Sequence, residues 1–412
     1  MYNLFIYAYR FGLGVAALWN KKAKLWISGR ENLIKNLKAE LAGCENVVWI
    51  HCSSAGEFEQ GKPILERIKN DFPLYTILVT FFSPSGLQAA KNYKRADVIT
   101  YLPLDTANYA ATFLSVVQPK LVIFVKYDYW YHHLNAIAKR NIPLILVSAI
   151  FRENSIFFKP YGSLYRKMLS FFSWVFVQDK LSKDLLSKIE INHCSVAGDT
   201  RFDRVKTIAN NFTSLPVIEK FIANKMVVVA GSTWYEDELL LSEIKTSENL
   251  KLIVAPHEIN KAHLEKLFNL FPQAVAHSQI ENVADLCSIQ VLIIDNIGML
   301  SRLYHYATVA YIGGGFNKSG IHNTLEAAVW GKPILFGPNF QKFKEAKDLI
   351  NKGAAFSITT KEELCSRVNQ FLIDPSEREK SGQASEKYVA AQTGATHKIM
   401  QYIQENRLLT KL

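Results

Sequence analysis

The sequence predicts an α/β protein made of two doubly wound parallel sheets in tandem, and three observations carry that prediction. First, short runs that are apolar throughout, such as VVWIHCS, TILVT, DVITYLP, LVIFVK, PLILVS, WVFVQ and CSVAG, alternate with helical stretches such as GKPILERIKN and YWYHHLNAIAKR. Strands apolar on both faces belong to a parallel sheet covered by helices. Second, the alternation breaks in the polar stretch KTIANNFTSLP, residues 206–216, and resumes with MVVVAG, KLIVAP, QVLIID, VAYIGG, PILFGP and AAFSIT. That break reads as a linker. Third, residues 311–338, YIGGGFNKSGIHNTLEAAVWGKPILFGP, read as strand, glycine turn, loop, helix, turn and strand. Glycines at a strand's carboxyl end allow close approach to a ligand, and open α/β sheets bind phosphates and nucleotides there.

Composition bounds the rest. A chain of 412 residues has room for two or three domains, and 49% hydrophobic with 21% charged residues excludes a disordered protein. The net charge of +11 (48 basic minus 37 acidic residues) suits an acidic partner: nucleic acid, an anionic membrane or a phosphorylated substrate. Five scattered cysteines without a C-x-x-C pair suit a reducing compartment and no zinc site. No D-x-D triplet occurs, so a carboxylate-held Mg²⁺ is not suggested.

Taken in order, the chain opens on residues 1–19, apolar and aromatic apart from Asn3 and Arg10. Lys21, Lys22, Lys24, Arg30, Lys35 and Lys38 follow. A secretory signal places its positive charge first, and a spanning helix needs ~20 apolar residues, so neither fits well. An amphipathic or monotopic anchor on an anionic cytoplasmic leaflet fits better. A packed helix with a solvated basic end is the alternative. The expected divisions are a membrane-associated segment over residues 1–40, an acceptor domain over 41–208 and a nucleotide domain over 209–412, with a last helix able to cross back.

In the first domain, VVWIHC ends at Ser53-Ser54-Ala55-Gly56-Glu57. A carboxylate at the start of the next helix is kept ionised by the helix dipole, which suits either a general base or simple helix capping. Lys126 and Asp128 end another strand two residues apart, on one side of an extended chain, as a functional or a structural ion pair. Arg201 follows a third strand in GDTRFD, where a cation can meet a phosphate. Aromatic and basic residues interleave over residues 156–174, as a core stripe or a lipid-facing surface.

In the second domain, Gly231-Ser232-Thr233, Pro256-His257 and Ile297-Gly298-Met299 follow strands, like Asn323-Thr324-Leu325-Glu326. Asn323 and Glu326 have capping-box spacing. The same glutamate suits two ribose hydroxyls, and the helix amides suit a phosphate.

Together SSAGEFE, TFFSPSG, YLPLDT, VKYDYW, VAGDTRFD, AGSTWYEDE, IGGGF and HNTLEAAVWGKPILFGP resemble, in this order, the motifs of the 3-deoxy-D-manno-octulosonic acid (Kdo) transferases of lipopolysaccharide synthesis. The resemblance implies a GT-B fold of two Rossmann-like domains with an interdomain cleft. It also implies inverting transfer of Kdo from CMP-Kdo to the lipid A precursor, without a cofactor or essential metal, on the cytoplasmic face of the inner membrane and without nucleic acid. Glu57 matches the family's base. Asp128 and Arg201 stand where the family has a glutamate and a lysine that stabilise the transition state. Pro256, His257, Ile297, Gly298, Met299, Asn323, Thr324, Leu325 and Glu326 match its CMP-binding loops. The chain departs from the family pattern at Asp128, Arg201, Lys126 (acidic in many members) and His257 (an arginine elsewhere). Other readings are a different GT-B enzyme, either another glycosyltransferase or a nucleotide-sugar epimerase, and a non-catalytic basic membrane-binding protein.

Overall fold

A computed structural model describes residues 2–244, 246–247 and 249–410. The chain divides into two compact units, residues 1–204 with 393–412 and residues 205–392.

The first unit holds β1 (Val47–Cys52), β2 (Thr76–Phe81), β3 (Val98–Tyr101), β4 (Pro119–Val125), β5 (Leu144–Ala149), β6 (Trp174–Val177) and β7 (Cys194–Val196). They form one sheet in the order β3-β2-β1-β4-β5-β6-β7, with every pairing parallel. The continuous apolar runs have a direct cause, because alternate side chains of a strand point to opposite faces. Val47 and Trp49 of β1 enter one core with Leu78, Val122 and Leu144. Val48, Ile50 and Cys52 enter the other with Ile77, Ile123 and Ile145. The helix Ala395–Glu405 adds Ile399, Met400 and Ile403 to that second core.

Residues 156–174 resolve as core. Phe157, Met168, Leu169 and Phe172 are buried, and the Arg166 guanidinium donates to the carbonyls of Phe157 and Lys159, both at 2.9 Å.

The expected linker at 206–216 is shorter than its composition suggested. A helix runs Thr200–Asn210 and another starts at Pro216. Phe202 and Val205, one turn apart, bury an apolar side, while Asp203 accepts from the amides of Gly394 and Thr396, both at 2.6 Å. Lys206, Thr207 and Asn210 are the solvated face of that helix, and residues 211–215 alone remain as connection.

The second unit holds β8 (Met226–Thr233), β9 (Leu250–Pro256), β10 (Val275–Ala276), β11 (Val291–Ile293), β12 (Val309–Ile312), β13 (Ile334–Phe336) and β14 (Ala355–Ser357), ordered β10-β11-β9-β8-β12-β13-β14. Its named strands also pair in parallel throughout. The two-residue β10 is too short to leave a signal in the sequence.

The N-terminal segment forms three helices, α1 (Tyr2–Ala16), α2 (Lys21–Ser28) and α3 (Leu33–Glu40). The Asn20 side chain caps α2 by accepting from the amides of Lys22 and Ala23 at 2.9 and 3.2 Å. Of α1 only Ile6 is fully buried, in a small cluster with Trp26 and Leu104. Leu4, Phe5, Phe11, Leu18 and Trp19 are exposed. Among the described residues, no helix is long and apolar enough to cross a membrane.

Candidate functional site

In an open α/β sheet the crevice for ligands lies where the chain reverses its direction of strand addition. In the first unit that point falls between β1 and β4, which are neighbours although β2 and β3 intervene in sequence. The expected residues Glu57 and Asp128 follow these two strands. α4 (Ala55–Asp71) begins after β1 and carries Glu57, half-buried, in its first turn. The Ser54 hydroxyl donates to the Glu57 carboxylate. A Cβ added to Gly56 would meet only the Ser54 hydroxyl, 3.7 Å away, so the approach over this turn is open.

After β4, Lys126 takes a left-handed conformation (φ +70°), so Lys126 and Asp128 do not lie on the extended stretch that the sequence suggested. Asp128 is 9% exposed. Its Oδ2 meets His51 Nε2 at 2.7 Å and accepts from Trp130 Nε1 at 3.2 Å. His51 Nδ1 meets the Thr80 hydroxyl at 2.8 Å, and Trp49 Nε1 donates to that hydroxyl at 2.7 Å. Indole is donor only. One arrangement therefore gives every hydrogen in this chain a partner: Trp49 donates to Thr80, Thr80 donates to Nδ1, and Nε2–H donates to Asp128. With both ring nitrogens used and no exposure, His51 holds Asp128 and does not meet substrate.

Arg201 is the second residue of the helix Thr200–Asn210. Its Nε donates to Asp199 Oδ2 at 2.9 Å and its backbone amide to Oδ1 at 2.9 Å. Burial alone would raise the Asp199 pKa; the Arg201 charge and these hydrogen bonds outweigh it and hold the carboxyl below its usual range. Gln60 of α4 donates to Asp199 at 3.1 Å, and Thr200 donates to the Gln60 carbonyl at 2.6 Å, which ties this helix start to α4. Two neighbours feel these charges. The Cys52 thiol is pushed well above its usual range by burial first, then by Glu57 and Asp128. The Tyr127 hydroxyl is raised by burial and also feels Glu57 and Arg201. Gln60, one turn after Glu57 on α4, holds the Asp199 that aligns Arg201, and His51 of β1 holds Asp128, so Glu57, Asp128 and Arg201 share one rim of the first unit.

In the second unit the chain reverses between β8 and β12. The glycine turn after β12 differs in purpose from the expectation of close ligand approach. A Cβ at Gly313 would lie 2.3 Å from the Ser232 carbonyl, one at Gly315 2.5 Å from Gly337, and one at Gly314 (φ +90°) 2.6 Å from the Gly320 carbonyl. These glycines let protein backbones meet. The Gly314 amide donates to Asp237 Oδ2 at 2.8 Å, and Tyr311 and the Trp234 amide donate to the same carboxylate at 2.8 and 2.9 Å.

Pro256 ends β9. The His257 ring stacks on Trp234 at 4.8 Å and on His322 at 4.4 Å, and Trp234 Nε1 donates to His322 Nε2 at 3.1 Å. Burial, with the neighbouring His257, lowers the His322 pKa to about 4; burial also lowers that of His257. Both rings are neutral at pH 7. Ile297 is 87% exposed, Gly298 turns at φ +98°, and Met299 is buried.

The helix expected from Asn323 is a single turn, Leu325–Ala328, with Thr324 at its cap. Asn323 is not half of a capping box. Its Oδ1 accepts from the Leu325 amide at 3.2 Å and its Nδ2 donates to Glu326 Oε1 at 3.0 Å. The Thr324 hydroxyl is buried without a hydrogen-bond partner among the described residues.

Sequence reasoning missed His51, Trp234, Asp237 and His322. The acidic helix start in WYEDE was a usable signal for Asp237. His51 lies inside an apolar run and left none.

Two doubly wound parallel units, each with polar residues gathered at its reversal point, define a GT-B-like fold. A UDP-GlcNAc 2-epimerase structure from Neisseria meningitidis shares it, with a TM-score of 0.60 and 14% identity, over 88% of this chain and all (100%) of that one. At that identity the likeness speaks to fold alone. The domain family described as 3-deoxy-D-manno-octulosonic-acid transferase (kdotransferase) matches residues 24–204. The chain is 29% identical to the 3-deoxy-D-manno-octulosonic acid transferase of Aquifex aeolicus, over 81% of this chain and 88% of that protein. It is also 29% identical to the transferase of the same name from Rickettsia felis, over 82% of this chain and 74% of that protein. The chain is a relative of the Kdo transferases, and so a glycosyltransferase.

Proposed function

We propose that this protein transfers Kdo from CMP-Kdo to the lipid A precursor of lipopolysaccharide, with inversion, at the cytoplasmic face of the inner membrane. The observation that carries the reading is the half-buried Glu57 carboxylate at the reversal point of the first unit, with Asp128 held by His51 of β1 and Arg201 aligned by the Asp199 that Gln60 of α4 contacts.

In this mechanism Glu57 takes the proton from a glucosamine hydroxyl as that oxygen attacks the anomeric carbon of Kdo, while the bond to CMP breaks. The Ser54 hydroxyl donates to the Glu57 carboxylate and orients it. Asp128, held through Oδ2, presents its other oxygen to the positive charge that develops on the sugar ring. Arg201, aligned by Asp199, offers a fixed cation to the leaving phosphate. Pro256, His257, Ile297, Gly298, Met299 and Asn323 to Glu326 hold the cytidine nucleotide in the second unit. Because the helix there is one turn long, single amides and the unpartnered Thr324 hydroxyl, and not a helix dipole, meet the phosphate. Glu326, already accepting from Asn323, receives the ribose hydroxyls.

Exposed Leu4, Phe5 and Phe11 on α1 and Leu18 in the turn after it, followed by Lys21, Lys22 and Lys24, support a monotopic position on an anionic bilayer. Purified protein with CMP-Kdo and a tetraacylated lipid A precursor, products read by mass, tests the reading directly. One or more added Kdo units are expected; an unchanged acceptor beside an intact donor contradicts it.

A further inference from the structure

A cavity of about 590 Å³ lies among α1, α2, α3 and the turn after β3, within the range of about 300–1,000 Å³ typical of ligand pockets. Its apolar lining includes Ile27, Leu33, Ile34 and Leu104. Arg10, Arg30 and Lys35 line it too, against a single acid, Glu31. Two of its groups are incompletely served. Trp26 is 6% exposed, and its Nε1 is buried without a hydrogen-bond partner among the described residues. A buried indole donor left so carries a desolvation penalty, which an incoming acceptor oxygen would relieve. Arg30 lies 3.8 Å over the Trp26 ring and donates to the carbonyls of Leu102, Trp26 and Phe82 at 2.9, 3.0 and 2.8 Å. Among the described residues no carboxylate pairs with it. Arg10 and Gly14 line this cavity and also the exposed apolar groove that Phe11, Val15 and Leu18 form along and just beyond α1.

We propose that this cavity is a lipid subsite that takes one acyl arm of an anionic ester lipid. The chain lies against the aliphatic wall, an ester or amide carbonyl accepts from Trp26 Nε1, and the anionic group meets Arg10, Arg30 and Lys35. Continuity with the α1 groove gives the arm a path from the bilayer. The same chemistry is supplied by the acylated sugar acceptor or by a bilayer phospholipid.

Gly14 provides the test, because an added Cβ there meets nothing within 4 Å and Gly14→Trp can plug the mouth without disturbing the helix. Dihexanoyl phosphatidic acid, kept below its micelle concentration, is titrated calorimetrically into the full chain. One equivalent is expected to bind, at least about tenfold more weakly to Gly14→Trp and roughly 3–10-fold more weakly to Trp26→Phe. Phe11→Ser, on the exposed groove, should leave this binding unchanged while weakening vesicle association. Equal binding by Gly14→Trp and the parent, or an equal loss in Phe11→Ser, overturns the subsite. Transfer assays then identify the source of the arm and rest on the function proposed above. A raised KM in Gly14→Trp for the acylated but not the de-acylated glucosamine disaccharide identifies the acceptor. An unchanged KM with lost lipid binding identifies a phospholipid. Absence of Kdo transfer by the parent counts against that proposed function and leaves the titration to decide the subsite.

Discussion

At the scale of single residues, the proposed chemistry rests on carboxylates that differ in how tightly they are held. Glu57 has one hydroxyl donor and an open turn beside it; Asp128 has two donors on one oxygen and a buried histidine behind it. The difference predicts different losses. Asp128→Asn should keep the fold and lower kcat more than it raises KM, since the interaction it removes is made mainly in the transition state. His51→Phe should cost stability of about 1–3 kcal/mol for each buried group left unpaired, read as a lower urea midpoint. Thr80→Val should do the same to a lesser extent. Unchanged midpoints in both would show that the Trp49–Thr80–His51–Asp128 chain is not formed. Glu57 was legible in the sequence because a glycine and a strand end frame it. His51 was not: it sits in a strand whose every residue is buried, and its partner is 77 positions away. No local pattern encodes a contact made by sheet order.

At the scale of elements, strands were the most legible feature, because two-sided burial writes itself as a continuous apolar run. The loops were legible as positions but less so as conformations. The short helix Leu325–Ala328 illustrates why: Asn323 and Glu326 have the spacing of a capping box but spend their side chains on each other. The triple glycine was visible, yet its purpose, backbone against backbone, depends on Ser232 and Gly337 from other elements. The ring stack of Trp234, His257 and His322 carries a pH prediction. Burial holds the His322 pKa near 4 and lowers that of His257 below the unfolded value of 6.5. Between about pH 6.5 and 4 the unfolded chain therefore binds more protons than the folded one, and stability falls as pH falls through that window. The thermal midpoint should decline from pH 6.5 to 4, and the decline should be shallower in His322→Gln. A parallel decline in both proteins would remove the stack as its cause.

At the scale of the whole molecule, the proposed membrane association rests on the net charge of +11 together with the exposed face of α1. Polybasic attraction is screened beyond about 10 Å in 0.1 M salt, while apolar insertion is not. Association with anionic vesicles should weaken with added salt without vanishing, and Phe11→Asp should remove the salt-resistant part in a flotation assay. Complete salt reversal by the parent protein would mean that α1 does not insert. Donor choice is also a whole-molecule property, read as stability. CMP at about 100 times its Kd should stabilise the fold by about 2.7 kcal/mol, and UDP at the same concentration should not. Stabilisation by UDP alone would replace the cytidine donor.

The proposed mechanism depends most on Glu57 as the base that activates the acceptor hydroxyl. Replacing it by glutamine keeps size and hydrogen bonding but removes the proton acceptor. Single-turnover transfer by Glu57→Gln, measured beside calorimetric binding of CMP-Kdo, tests this most directly. The expected rate is lower by at least about 10²-fold with donor affinity unchanged. A rate within a few-fold of the parent, with the donor still bound, would contradict it.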